Sequence, residues 1–92
     1  MKVAFRKEAC DDLDHIHAWI SKDNPVAAAQ VIDRILDSAE NLGRFPLLGR
    51  RGTVPGTREL AVKGLPYIIV YEHVPTRGDV VVIAAFHGAQ YR

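Results

Sequence analysis

In the second half of the sequence, Arg50, Arg51, Arg58, Glu59, Lys63, His87 and Tyr91 are side chains of the types that cut a phosphodiester without a metal. That chemistry needs a base for a 2′-hydroxyl, donors for the scissile phosphate and an acid for the leaving oxygen. Glu59 has the type for the base, Arg50, Arg51 and Arg58 for the phosphate, and His87 or Tyr91 for the acid. Their convergence at one rim of a sheet is the expectation on which this reading depends. The competing reading is structural: Arg58 and Glu59 are neighbours on opposite faces of a strand, each able to pair across to another strand, while His87 only closes the last strand. Between Arg44 and Lys63 there are five basic residues and one acid, which suits a solvated face, or a target-binding surface of Arg50, Arg51, Arg58 and Lys63. His15 and His17 are two apart on a predicted helix and diverge, so they do not form a metal-binding pair, and neither a metal nor a cofactor is expected.

The stretch that must position these groups is Gly56 to Tyr71, a charged loop followed by two strands joined at Gly64-Leu65-Pro66. Before it, Lys2 to Arg6 alternates with Val3 and Phe5 on one side, as a short half-buried strand does. From Lys7 the period becomes helical through Ala9, Leu13, Ile16 and Ile20, ending near Lys22, with acids in the early turns. Asn24 and Pro25 have the capping and first-turn types that start a second helix, whose apolar stripe is Ala28, Val31, Ile32, Ile35, Leu36, Ala39 and Leu42. Gly43 is placed to end it.

Phe45, Leu47 and Leu48 are expected to anchor an ordered loop, with regular structure resuming near Thr57. Alternation from Thr57 to Val62 turns Leu60 and Val62 to the core and leaves Glu59 and Lys63 on the open side. Tyr67 to Val74 and Val80 to Phe86 are β-rich runs joined by the turn signal Pro75-Thr76-Arg77-Gly78-Asp79. The predicted fold is α+β, in the order β-α-α-β-β-β, with a helical hairpin on one face of a mostly antiparallel sheet.

Ninety-two residues at 48% hydrophobic content support one small core, so residues 1–92 are read as a single domain. The formal charge of +1 divides unevenly: residues 1–46 carry six basic and eight acidic side chains (−2), and residues 47–92 six basic and three acidic (+3). The second half is the anion-facing half. The lone Cys10 excludes an internal disulfide and is expected to pack as a small hydrophobe. Neither a signal peptide nor a membrane span is evident, so the expectation is a cytoplasmic protein that does not engage a membrane.

Taken together, several short motifs resemble the RelE/ParE family of type II toxin-antitoxin toxins over nearly the whole chain. They are Asp11-Asp12-Leu13 followed by Ile16, Asn24-Pro25 before Ala27-Ala28-Ala29, and Phe45-Pro46 before Gly49-Arg50. They continue with Gly56-Thr57-Arg58-Glu59-Leu60, Tyr67-Ile68-Ile69-Val70-Tyr71 and Phe86-His87-Gly88-Ala89-Gln90. The resemblance implies a small α+β toxin held inactive by a cognate antitoxin, whose C-terminal segment wraps it in extended or helical form.

Some members cleave mRNA on the ribosome, whereas ParE-like members block DNA gyrase. The ribosome-dependent nucleases resemble one another in an arginine on the strand before the tyrosine equivalent to Tyr71. Here that stretch is Ile68, Ile69 and Val70, and Lys63 is the only lysine of the second half. The resemblance therefore implies first a ParE-like toxin that binds an essential target such as gyrase. The alternatives are a RelE-like endonuclease using Glu59, Arg58, His87 and Tyr91, and a non-toxic binding module of the same fold. In each case an exposed apolar groove built from the helical hairpin and the sheet edge is expected to receive the antitoxin, either by helical docking along Trp19 and Ile20 or by strand addition at the sheet edge.

Overall fold

The computed structural model describes residues 1–90, except the side chain of Gln90; the expected role of Tyr91 therefore falls outside the described residues. Two helices and five strands follow in the order β1 (Lys2–Phe5), α1 (Lys7–Ser21), α2 (Pro25–Asn41), β2 (Arg50–Arg51), β3 (Thr57–Ala61), β4 (Tyr67–Val74) and β5 (Asp79–His87). The sheet order is β1-β5-β4-β3-β2, antiparallel except where β1 lies parallel to β5. This is the expected α+β architecture with one strand more. Regular structure resumes at Arg50, because Arg50 and Arg51 pair with Glu59 and Arg58.

The local reasons for the helical hairpin are those its sequence carries. Asn24 accepts the Ala27 N–H through its side chain at 3.0 Å and Pro25 occupies the first turn, where its missing N–H costs nothing. The helix α1 begins without a side-chain cap. Its entry is fixed instead by the Arg6 N–H, which donates to the Val82 carbonyl at 2.9 Å and so continues the β1·β5 pairing into the helix. One turn further, the Asp12 carboxylate accepts the Ala85 N–H at 3.0 Å, satisfying β5 where β1 has ended.

The core is built from Ala9 of α1, Ile35 and Ala39 of α2, Leu42, Val62, and Tyr67, Ile69, Tyr71, Val80 and Val82 of the sheet. Leu36, placed by its spacing in the apolar stripe, is instead exposed, as is Cys10. Gly43 does not close α2 through a left-handed conformation; positive φ occurs at Gly56, Gly64 and Gly78. A Cβ at Gly43 would lie 2.6 Å from the Met1 carbonyl oxygen, so close chain approach explains the glycine.

The loop between α2 and β3 departs furthest from expectation. Phe45, Leu47 and Leu48 are 58%, 61% and 56% exposed and anchor nothing. The loop is held from below by Tyr71, which is fully buried; its hydroxyl donates to the Pro46 carbonyl at 2.8 Å and accepts the Gly49 N–H at 2.9 Å. Gly49 in turn accepts Arg58 Nη1 at its carbonyl, at 2.7 Å. A Cβ on Gly49 would come within 2.7 Å of the Glu59 carbonyl oxygen and 2.8 Å of the Tyr71 hydroxyl.

One irregularity decides which side chains share a face. Along β4 and β5, Tyr67 faces His87 and Ile69 faces Ala85, but Tyr71 faces Val82 and Val70 faces Ala84. The register shift between Val70 and Tyr71 leaves Ile83 as an extra residue on β5, a β-bulge. It keeps Val80 and Val82 on the helix-covered face together with Ala85 and His87, although strict alternation would separate the two pairs.

Replacing Tyr71 by Phe is expected to lower unfolding free energy by about 1–3 kcal/mol, because the Gly49 N–H and Pro46 carbonyl lose a shared partner that water cannot easily replace. Urea denaturation followed by far-ultraviolet circular dichroism measures it, and a change under about 0.5 kcal/mol would show that the hydroxyl does not hold the loop.

Candidate functional site

The charged side chains singled out by type are sorted by the pleat onto opposite faces of the sheet. Glu59 pairs with Val70, and Val70 with Ala84, on the face away from the helices. His87 pairs with Tyr67, three residues before Val70 on β4, and therefore lies on the helix-covered face. The bulge at Ile83 is what carries His87 there. A base and an acid acting on one phosphodiester must both reach the same group, and Glu59 and His87 are separated by the thickness of the sheet. The rim at which they were expected to meet does not form.

On the open face Glu59 is not available to solvent. Its side chain retains only 4% of its exposure, although the alternation of β3 placed it on the open side as predicted. Arg50, directly across from it on β2, donates from Nη2 to Oε1 at 3.2 Å while remaining 75% exposed itself. The surrounding cavity of about 290 Å³ is otherwise lined by Leu48, Gly49, Leu60, Ala61 and Ile68. An arginine lid over a carboxylate in apolar surroundings makes Glu59 a structural partner of Arg50, with its hydrogen-bonding capacity already engaged.

On the helix-covered face, beyond the reach of the helices, a cleft of about 580 Å³ opens between the loop around Val54 and the end of β4. Arg51 and Arg58 stand opposite one another in the β2·β3 register, and both line it with His73. Like charges opposed across an antiparallel pair are destabilising unless something neutralises them. Among the described residues no carboxylate pairs with either arginine: the ion pairs there are Arg6–Glu72, Lys7–Asp11, Arg50–Glu59 and Arg77–Asp79. His73 Nε2 is buried and has no hydrogen-bond partner. A second, apolar cavity of about 520 Å³, lined by Met1, Phe45, Pro46, Leu47 and Leu48, adjoins the cleft through Leu47, His73 and Pro75.

Lys63 lies apart from these groups, in the turn after β3, where its carbonyl accepts Arg34 Nη2 at 2.6 Å. Trp19 is 69% exposed, with Lys22 Nζ 5.0 Å above its ring. It borders a groove of about 270 Å³ with His15, Ile16, Tyr67 and His87, where the Tyr67 and His87 rings meet edge-on at 5.4 Å. Ile20 turns away from this groove to pack against the core. His87 Nδ1 accepts the Ala89 N–H at 3.0 Å, which places the ring proton on Nε2 when the ring is neutral. Among the described residues no cluster of three or more metal-ligating side chains occurs, and no helix is long and apolar enough to cross a membrane.

Asp12, His73 and Tyr71 escaped a search by residue type. Asp12 was an early-turn acid of a helix, Tyr71 one aromatic in a β-rich run, and His73 had no partner in sequence to mark it. Only the register could have distinguished them.

Three comparisons bear on this geometry. The family model described as "ParE toxin of type II toxin-antitoxin system, parDE" matches residues 3–91. The chain is 37% identical over 89 residues to Y4kP of Sinorhizobium fredii (strain NBRC 101917 / NGR234), which carries the name of a toxin; the match covers 97% of this chain and 90% of that protein. Among solved structures, the chromosomal ParDE system of P. aeruginosa superposes with a TM-score of 0.81 at 20% identity, covering 95% of each chain. The RelBE2 toxin-antitoxin complex of Mycobacterium tuberculosis gives 0.69 at 24% identity, covering 94% of this chain and 95% of that one. These two share the fold.

The Arg50–Glu59 geometry predicts the outcome of removing either charge. Arg50→Ala is expected to cost about 1–2 kcal/mol, below the value for a fully buried pair because Arg50 is largely solvated, and Arg50→Leu with Glu59→Leu is expected to recover most of it. Thermal and urea unfolding of the three proteins decide this; equal stability of Arg50→Ala and the parent would mean that Glu59 is comfortable without its arginine.

Proposed function

We propose that this chain, which belongs to the ParE toxin family of type II toxin-antitoxin systems, inhibits bacterial growth by binding an essential protein target in the cytoplasm, DNA gyrase first, and is neutralised by a cognate antitoxin. The observation that carries a binding rather than a nuclease mechanism is the separation of Glu59 from His87 by the sheet. The open face is consistent with it: Ala61, Ile68 and Val70 surround a carboxylate already engaged by Arg50, and no arginine precedes Tyr71 on β4. Among the described residues Arg51 and Arg58 have no carboxylate partner, and both lie on the other face, open to another molecule.

A supercoiling assay with purified toxin and gyrase tests the target. Dose-dependent loss of supercoiling is expected, and unchanged gyrase at saturating toxin removes gyrase from the proposal. Glu59→Gln combined with His87→Ala is expected to leave growth inhibition within about threefold of the parent once expressed per folded molecule, a circular-dichroism melt measuring the stability lost with the buried Arg50–Glu59 pair. Toxin-dependent mRNA cleavage on translating ribosomes, lost in that double variant, would replace the binding mechanism by an endonuclease.

The groove of Trp19, Ile16 and His87 offers an exposed aromatic anchor of the kind that dominates protein interfaces, and we assign it to the antitoxin. Trp19→Ala should weaken the antitoxin complex by about 2 kcal/mol or more by isothermal calorimetry; unaltered affinity would take Trp19 out of the interface.

A further inference from the structure

The cleft at the other end of β4 from the Trp19 groove lacks a counter-charge among the described residues. Arg51 and Arg58 face one another across β2 and β3, no acid lines the cleft among the described residues, and His73 Nε2 is buried beside it without a hydrogen-bond partner. Arg58 is also positioned rather than floppy, because one of its nitrogens holds the Gly49 carbonyl at 2.7 Å and the remaining donors are left to point elsewhere. Paired guanidinium groups presenting forked donors match the two oxygens of a carboxylate or phosphate.

What surrounds the arginines distinguishes the source of that anion. The cleft runs directly into the apolar shelf of Phe45, Leu47 and Leu48, and Val54 and Pro75 supply its walls. A nucleic-acid strand is held by a series of cations along its backbone and by aromatic platforms for its bases. Here the cations are confined to one spot, and Phe45 is the single aromatic ring on the shelf. Apolar surface of this extent next to a compact positive site fits a peptide in which an acidic side chain is flanked by apolar ones.

We propose that Arg51 and Arg58, with His73 lining the cleft between them and Pro75, form a carboxylate socket, filled by an acidic side chain of the antitoxin while its apolar neighbours cover Phe45, Leu47 and Val54. The inference rests on the antitoxin partnership proposed above and adds a second, electrostatic anchor to it. It also accounts for an arrangement that is unfavourable in the free chain: the two opposed arginines are relieved by one carboxylate.

The test uses this chain and its cognate antitoxin, with affinity measured by calorimetry as a function of salt. Among the described residues the Arg51 side chain makes no hydrogen bond or ion pair, and its strand pairing with Arg58 runs through the backbone, so Arg51→Ala and Arg51→Glu should fold as the parent does. They are expected to loosen the complex about 10- to 100-fold, Glu more than Ala, and to reduce its salt dependence. Arg58→Lys, which keeps a charge while losing the fork, is expected to weaken it less than Arg51→Glu, and a circular-dichroism melt guards against misfolding through the lost Gly49 contact.

Parent-like affinity in both Arg51 variants overturns the socket and leaves the antitoxin partnership standing. Failure of the parent itself to bind the antitoxin overturns both. If the Arg51 variants bind antitoxin normally but lose binding to a short duplex DNA, or lose growth inhibition, the cleft serves nucleic acid or the target, and the inference is wrong in its occupant.

Discussion

The hydroxyl of Tyr71 is the interaction on which the functional surfaces of this protein depend. Sitting at the bottom of the core, it joins a strand that the hydrophobic effect places securely to a loop whose own apolar residues face solvent. Two backbone groups of that loop, the Pro46 carbonyl and the Gly49 N–H, are satisfied by one side-chain oxygen, and Gly49 then offers its carbonyl to Arg58. The chain of bonds runs from core to loop to strand. Through it, the position of β2, the lid over Glu59 and the shelf of Phe45 and Leu47 are all referred to β4. Neither propensity nor burial of the loop would fix them, since a loop with exposed leucines gains little by adopting one conformation over another.

The second constraint is the bulge at Ile83. A single extra residue on β5 lets one strand present Val80 and Val82 beneath the helices at one end and Ala85 and His87 at the other, so that the core is continuous along the whole strand. Its consequence for chemistry is as large as its consequence for packing. The imidazole of His87 is moved to the Trp19 groove, and the carboxylate of Glu59 is left on the other side under Arg50. The sheet thus presents two separate surfaces, one aromatic and one cationic with an apolar shelf. Both have the character of binding sites.

Much of this organisation is legible in the residue order. The helical hairpin follows from Asn24, Pro25 and the spacing of Ala28, Ile35 and Ala39, and the β4–β5 hairpin from Pro75 to Gly78, because capping, proline geometry and turn chemistry act over a few residues. The family was likewise readable from short motifs in their order. Expectations failed where a side chain's role depends on a partner far along the chain. Asp12 meets Ala85, Glu59 meets Arg50 through a strand of two residues, and the apolar type of Leu36, Leu47 and Leu48 was taken for burial that no distant surface supplies.

By itself, then, the sequence determined the α+β class, the order of both helices and four of the five strands, and the family, since each is written in periodicity, caps and motifs that a chain expresses locally. The tertiary structure decided which charged groups can act together. Strand register and a one-residue bulge are set by the sum of core packing across five strands, and a shift of one residue turns a side chain through the sheet. That is why Glu59 and His87, compatible in type and order, never meet, and why Arg51, Arg58 and His73, from three separate stretches of chain, line one cleft.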